Sequence, residues 1–211
     1  PAAFMRASAS VRGASNDVGI HTLEVYTPRH GASASALEQH VGCPGRQARG
    51  MLMEVRSACG EDEDVISMAL TALHRLMVRH GIHPSAIGMI KASSLSHLDR
   101  SKSMKTELMA LLEAAGHADA EGTDHYGTSV GSMSPLLDCV AWAQGEDWDG
   151  RWAVAVSADV LPSAASLAVL VGPAASLHMA RRLVPPSLLQ QPGTDRFASL
   201  SSHFMANSCL D

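Results

Sequence analysis

Between Asp62 and Gly81 the chain carries a helix with both of its ends marked. Ile66, Ala69, Leu70, Leu73, Leu76 and Met77 recur at helical spacing, acids fill the first turn, Arg79 and His80 the last, and Gly81 follows as a stop. An apolar stripe of that length has to bury against something, and the flanking sequence offers a sheet. Val18 to Tyr26 (VGIHTLEVY) has the β-branched and apolar content of a buried strand, ended by Pro28, and Ile87 to Ala92 reads as another. Trp152 to Ser157 and Leu167 to Val171 are short apolar runs bounded by Gly, Pro and Ser, as central strands are. Met104 to Ala115, stopped by Gly116, and Ser132 to Gln144 read as two further helices. This alternation of strands and helices predicts an α/β fold, with helices packed on a mixed, mostly parallel sheet.

A chain of 211 residues, 46% of them hydrophobic and 18% charged, can bury one sizeable core. Residues 17–180 are read as a single lobe, residues 1–16 as a tail, and residues 181–211, with PPSLLQQPG, as an extended C-terminal tail. Between Arg29 and Ser57 the chain is rich in Gly, Ala and Arg, with a short helical pattern around Ala34 to His40 and a second near Gln47 to Val55. The formal charge of −5, with no basic block, argues against nucleic acid as the main partner. The uncharged stretch from Val160 to Ala180 is interrupted by Pro162, Gly172 and Pro173, which favours strand and turn over a membrane span. Cys43, Cys59, Cys139 and Cys209 form no CxxC pair and no metal-ligand spacing, so reduced thiols are expected rather than a disulfide framework, and no metal. His74, His80 and His83 read as surface histidines on or just after a helix, and no HExxH pattern occurs. Arg6 and Arg12 among serines and alanines, with no acid before Asp17, resemble a presequence remnant; an ordinary disordered tail is the alternative.

Several segments carry a family pattern. VGIHTLEVYTPRH is similar to the opening of 3-hydroxy-3-methylglutaryl-CoA synthases, members of the thiolase superfamily, and CGEDEDVISMALTALHRLM to one of their helices. LDRSKSMKTELMALLEAAGHADAEGTD and WDGRWAVAVSADV resemble two further family segments. The most specific pieces are Ser101 to Thr106 and Trp148 to Trp152. The resemblance runs from about Val18 to about Leu177 and covers the first half of a typical member, which implies one thiolase-type lobe.

In that family a cysteine thiolate takes the acetyl group from acetyl-CoA, a glutamate moves protons in the condensation, and a histidine from the second half assists. Aligned without gaps between Gly122 and Trp148, the cysteine position falls on Ser129 within HYGTSVGSM. A thiol needs only a modest shift from about 8.5 to react near neutral pH, whereas a serine hydroxyl needs an adjacent base. Asp124 and His125 are near in sequence, but neighbours on a strand point to opposite faces, so they make a weak relay. Counted back from Asp99, the glutamate position falls on Leu95, which cannot move a proton. After Asp159 the chain has only VLPSAAS where the family carries a longer glycine-rich loop, and the family's second half has no counterpart in it.

The resemblance therefore implies a catalytically inactive homologue serving as a structural or accessory subunit of a larger assembly, with a mitochondrial complex as the expected setting and the cytoplasm as the alternative. Since a lone lobe would leave an apolar face in water, a protein contact is expected around the helix after Ser129, with Leu136, Leu137, Val140 and Trp142 as candidates. The competing reading has these residues facing the lobe's own sheet. No cofactor is expected. Two other functions stay open: a condensing or acyl-transfer component completed by a second chain, with Ser129 as acyl acceptor, and a module that binds CoA or a carrier-bound acyl group without turnover.

Overall fold

The computed structural model describes residues 18–50, 52–127, 131–146, 148–161 and 163–179. Strand β1 (Gly19–Tyr26) leads into a short hairpin-like unit of β2 (His30–Ser33), α1 (Ala34–Val41) and β3 (Val55–Ala58). Then come α2 (Val65–His80), β4 (Ile87–Ser94), α3 (Met104–Glu113), β5 (Glu121–Tyr126), α4 (Met133–Ala143), β6 (Trp152–Asp159), β7 (Ala165–Gly172) and β8 (Leu177–His178).

Both ends of α2 close near where the sequence marks them, except that no acid lies in its first turn: Asp62 and Glu63 precede the helix and Asp64 caps it. Asp64 Oδ1 accepts the Ser67 N–H at 2.7 Å, and Ser67 Oγ accepts the Asp64 N–H at 2.8 Å, a reciprocal cap for two otherwise orphaned donors. Gly81 closes the other end at φ 62°, a left-handed conformation that costs glycine no Cβ clash. α3 is capped by Ser103 Oγ, which accepts the Thr106 N–H at 3.0 Å.

Six strands form one sheet in the order β5-β4-β6-β7-β1-β8. β4 pairs in parallel with both β5 and β6, while β7 runs antiparallel to β6 and β1, and β8 antiparallel to β1. Thus β5, β4, β6 and β1 share one direction, and the sheet is mixed with a parallel core, as expected. Alternation along the strands sorts side chains to two faces. Ile90, Ala92, Val154, Val156, Ala168 and Leu170 pack beneath α2 and α3. Met89, Ala153, Ala155, Val169 and Val171 pack beneath α4.

Two sequence expectations are corrected. No helix forms between Gln47 and Val55: residues 44–50 make turns, and Val55–Ala58 is strand β3, paired with β2. Glu38 holds the turns of this segment, its carboxylate accepting the N–H groups of Gly45, Gln47 and Ala48 at 2.6, 2.7 and 2.7 Å, and the pairing of Val55 with Ser33 commits the end of the segment to a strand. Those bonds, the one from Ala48 first, hold the Glu38 carboxyl below its ordinary range. Cys43 is disulfide-bonded, whereas Cys59 and Cys139 are free thiols. The uncharged stretch after Val160 is β7, its turns and β8, and among the described residues no helix is long and apolar enough to cross a membrane.

Candidate functional site

The C-terminal ends of β4, β5 and β6 meet where α4 begins, and at the centre of this end lies the Asp159 carboxylate. Its Oδ1 accepts Ser94 Oγ at 3.1 Å, the Leu95 N–H at 2.7 Å, and the Ser96 N–H and Oγ at 2.9 and 2.8 Å. Ser96 Oγ in turn accepts the Val160 N–H at 2.8 Å. Four charge-assisted donors on one oxygen lock the 94–96 segment against the end of β6. Leu95, where the sequence resemblance leads one to expect the family's acid, is held there with half of its surface open, and Leu98 and Leu161 are exposed as well. The scaffold of this corner is complete, and it displays an alkyl group. Asp159 is the residue here whose role single-position alignment did not reveal; its signal was the Ala-Asp pair closing an apolar strand.

Ser129 lies outside the described residues, between the end of β5 and the start of α4. The groups around that connection can be placed. Asp124 and His125 point to opposite faces, as strand geometry requires. Asp124 accepts the Lys105 N–H at 2.8 Å and the Tyr126 hydroxyl at 2.8 Å, which ties β5 to the first turn of α3. Burial, then the bond to Asp124, raises the Tyr126 pKa, and His97 and Arg100 stack against its ring. His125 turns towards α4, where Nε2 lies 3.1 Å from Asp138 Oδ2, at ion-pair distance but off the hydrogen-bonding axis. Lys91 approaches the same carboxylate at 3.7 Å and donates to Thr123 Oγ1 at 3.0 Å. Asp124 and His125 therefore belong to two separate polar clusters and form no relay with each other.

Neither free cysteine offers a replacement thiolate. Cys139 is fully buried under α4, and desolvation pushes its thiol up to about 12. Desolvation, followed by the charges of Glu63 and Asp64, also raises the Cys59 thiol. Among the described residues no cluster of His, Cys, Asp and Glu could hold a metal ion. A polar cavity of about 280 Å³ is lined by Tyr26, Arg29, His30, Asp62, Glu63, Ser67 and Thr71. Its two carboxylates offset its basic groups, and Glu63 is already taken by the Tyr26 hydroxyl.

The segments most specific in sequence prove to be structural. In Trp148 to Trp152, Asp149 accepts the Arg151 N–H at 2.9 Å and Nε at 2.6 Å, Trp148 Nε1 donates to the Arg151 carbonyl at 2.8 Å, and Gly150 takes φ 85°. That knot starts β6. In the other, Ser103 caps α3 and Lys105 Nζ donates to the Ala120 carbonyl at 2.7 Å. β6 pairs antiparallel with β7 directly after Asp159, and Ser163 Oγ accepts the Ser57 N–H at 3.0 Å.

The four contact candidates on α4 separate by helical face. Leu136 and Val140, one turn apart, are buried on the chain's own sheet, and Trp142 is half-buried against the same cluster. For Leu136 and Val140 the expectation of an exposed contact is corrected to the competing one, the chain's own core, while Trp142 packs partly buried against that core. Leu137 faces outward and is 53% exposed, with Met133 beside it at 44%.

A mixed sheet of this strand order, with helices on both faces and a strand leading through a short connection into a covering helix, defines a thiolase-type α/β lobe. The chain belongs to the hydroxymethylglutaryl-CoA synthase family: the family description "Hydroxymethylglutaryl-coenzyme A synthase N terminal" matches residues 14–181. The cytoplasmic hydroxymethylglutaryl-CoA synthase of Mus musculus is 33% identical over 178 residues, 79% of this chain and 34% of the relative. That of Gallus gallus is 33% identical over 164 residues, 77% of this chain and 31% of the relative. The chain thus spans about a third of the length of the curated relatives it matches. Among solved structures, "MvaS in complex with 3-hydroxy-3-methylglutaryl coenzyme A" superposes with a TM-score of 0.67 at 24% identity, covering 75% of this chain and 40% of that one. The Curacin pathway HMG synthase in complex with acetyl donor-ACP gives 0.65 at 21% identity, covering 74% and 41%. At these identities the two structures support the fold alone.

Proposed function

We propose that this chain is a non-catalytic member of the hydroxymethylglutaryl-CoA synthase family, retained as a structural or accessory component of a larger assembly. The observation that carries the reading is Leu95. The segment that would present the family's acid is intact and clamped by Asp159, yet it ends in an exposed leucine. An alkyl side chain can neither donate nor accept the proton of a condensation step. Ser129 at the nucleophile position agrees with this, because a hydroxyl needs a base, and the neighbouring Asp124 is committed to α3 while His125 faces Asp138. The mixed-sign lining of the Tyr26–Glu63 cavity also fails to supply the positive field that CoA phosphates require. The composition of residues 1–16 makes a mitochondrial assembly the proposed setting.

Incubation of the purified chain with labelled acetyl-CoA, beside a Ser129→Ala control, tests the proposal. No label in either protein is the expected result. Stoichiometric label that disappears in the variant would establish an acyl-transfer component instead, and saturable CoA binding without label would establish a binding module.

A further inference from the structure

The polar cavity beside the start of α2 has two walls that share no element. Tyr26, Arg29 and His30 come from the end of β1 and the corner that begins β2, whereas Asp62, Glu63 and Thr71 come from the turn before α2 and its first two turns. His30 pairs with Ala58, and the Glu63 N–H donates to the Gly60 carbonyl at 3.3 Å, so a ladder and a turn set how far apart the walls stand. The Arg75 guanidinium stacks on the Tyr26 ring, 4.9 Å from its centre, and the Tyr26 hydroxyl donates to Glu63, which joins one wall to the other.

Charge of both signs is gathered around this space and left unused. Among the described residues the side chains of Arg29, His30 and Asp62 make no hydrogen bond or ion pair. Elsewhere in the chain such groups do pair when brought together, Arg151 with Asp149 and Asp119, and Arg79 with Glu24. Glu63 feels the basic wall without touching it: the Tyr26 hydroxyl first, then the Gly60 N–H, hold its carboxyl below the ordinary range, and the charges of His30 and Arg29 add to this from a distance. The amides of the helix end are not what the cavity offers, because Asp64 accepts the Ser67 N–H and Ser67 Oγ is bonded back to Asp64. Two acceptors remain besides Asp62. They are the Tyr26 oxygen, whose proton goes to Glu63, and Thr71 Oγ1, whose proton goes to the Ser67 carbonyl at 2.7 Å.

We propose that this cavity binds a small zwitterion of the α-amino-acid class, with its carboxylate on Arg29 and His30 and its ammonium on Asp62. A guanidinium can hold a carboxylate by two parallel hydrogen bonds, and an ammonium brings three N–H donors for the three acceptors at Asp62, Tyr26 and Thr71. A ligand with one charge would leave the opposite group unanswered, and the two linings offset each other against a ligand of large net charge. The volume of about 280 Å³ lies at the lower edge of the roughly 300–1,000 Å³ of small-molecule sites, which suits an amino acid and is too small for a nucleotide-bearing cofactor. The site is independent of the non-catalytic reading, since it uses neither position 95 nor position 129.

Isothermal titration calorimetry of the full 211-residue chain tests this, with the common α-amino acids as a panel and with acetate and ethylammonium, which carry one charged end each. Saturable binding of at least one amino acid at millimolar ligand is expected, with both single-ended probes at least tenfold weaker. Arg29→Ala and Asp62→Ala, both at exposed positions, should each weaken the best binder at least tenfold while the far-UV circular dichroism stays unchanged. Lys102→Ala, at an ion pair outside the cavity, should change it less than twofold. A chain that binds no amino acid overturns the proposal, as does binding that survives both cavity variants. Acetate held as tightly as the best amino acid also overturns it, by making this a plain anion site. None of these failures touches the non-catalytic reading, which the acetyl label decides.

Discussion

Under α2 and α3 the sheet is covered from β4 to β1: Met68, Leu73, Leu76, Ile90, Leu108 and Leu112 are all wholly buried. Under α4 the covering stops at β7, the buried set is built mainly of Ala, Val and Cys, and Leu23 and Val25 remain half in water. Both faces come from the same alternating strands, so the difference lies in the helices. Two amphipathic helices, each with a polar outer side, finish the first face. One helix without a polar outer side begins the second. A face can therefore be apolar enough to form a core and still be only partly covered by the described residues.

The largest expected effect separates the two cores. Leu73→Ala should destabilise the fold by about 2–5 kcal/mol, as large-to-small changes in closed cores do. Val140→Ala, on the open face, removes less volume from a shallower cluster and should cost about 1–2 kcal/mol. Denaturant midpoints measure both, and equal costs would show that the second face is as closed as the first. Next comes the start of α2. Asp64→Ala removes the reciprocal cap and should cost about 1 kcal/mol by the same midpoints, with m unchanged.

The smallest effect is a pH dependence confined to the closed face. The Tyr26 hydroxyl, and then the Gly60 N–H, hold the Glu63 carboxyl below its ordinary value. A carboxyl lowered on folding stabilises above its unfolded pKa, and that contribution is lost as pH falls through the lower folded value. Melting temperatures of the wild type and Glu63→Gln should therefore differ at neutral pH and converge in acid below the usual carboxylate range. A difference that persists there would assign the bond no ionic share.

Legibility followed how local each determinant is. α2 was read correctly to within a turn because its periodicity, cap and stop all lie within one stretch of chain. The same holds for α3, α4, β4, β6 and β7, whose apolar runs announce themselves. β2 and β3 were missed, since β2 is exposed throughout and has no alternation to detect. No helix forms near Gln47 because the end of that segment pairs with β2, a partner more than twenty residues back in the chain. At the site, Leu95 was legible by alignment, whereas the Asp159 knot was not, because it joins residues more than sixty positions apart.

The sequence by itself determined the class of fold, the family and the residue types at positions 95 and 129, because these depend on local pattern and on identity at a position. Only the tertiary structure decided which α4 residues remain in water. Leu136, Leu137 and Val140 are all apolar, and nothing in their chemistry ranks them as core or surface. A turn of 100° per residue, set against a sheet that α4 covers only as far as β7, buries two of them and exposes the third. Burial is a property of what lies opposite a side chain, and what lies opposite is fixed only when distant segments pack.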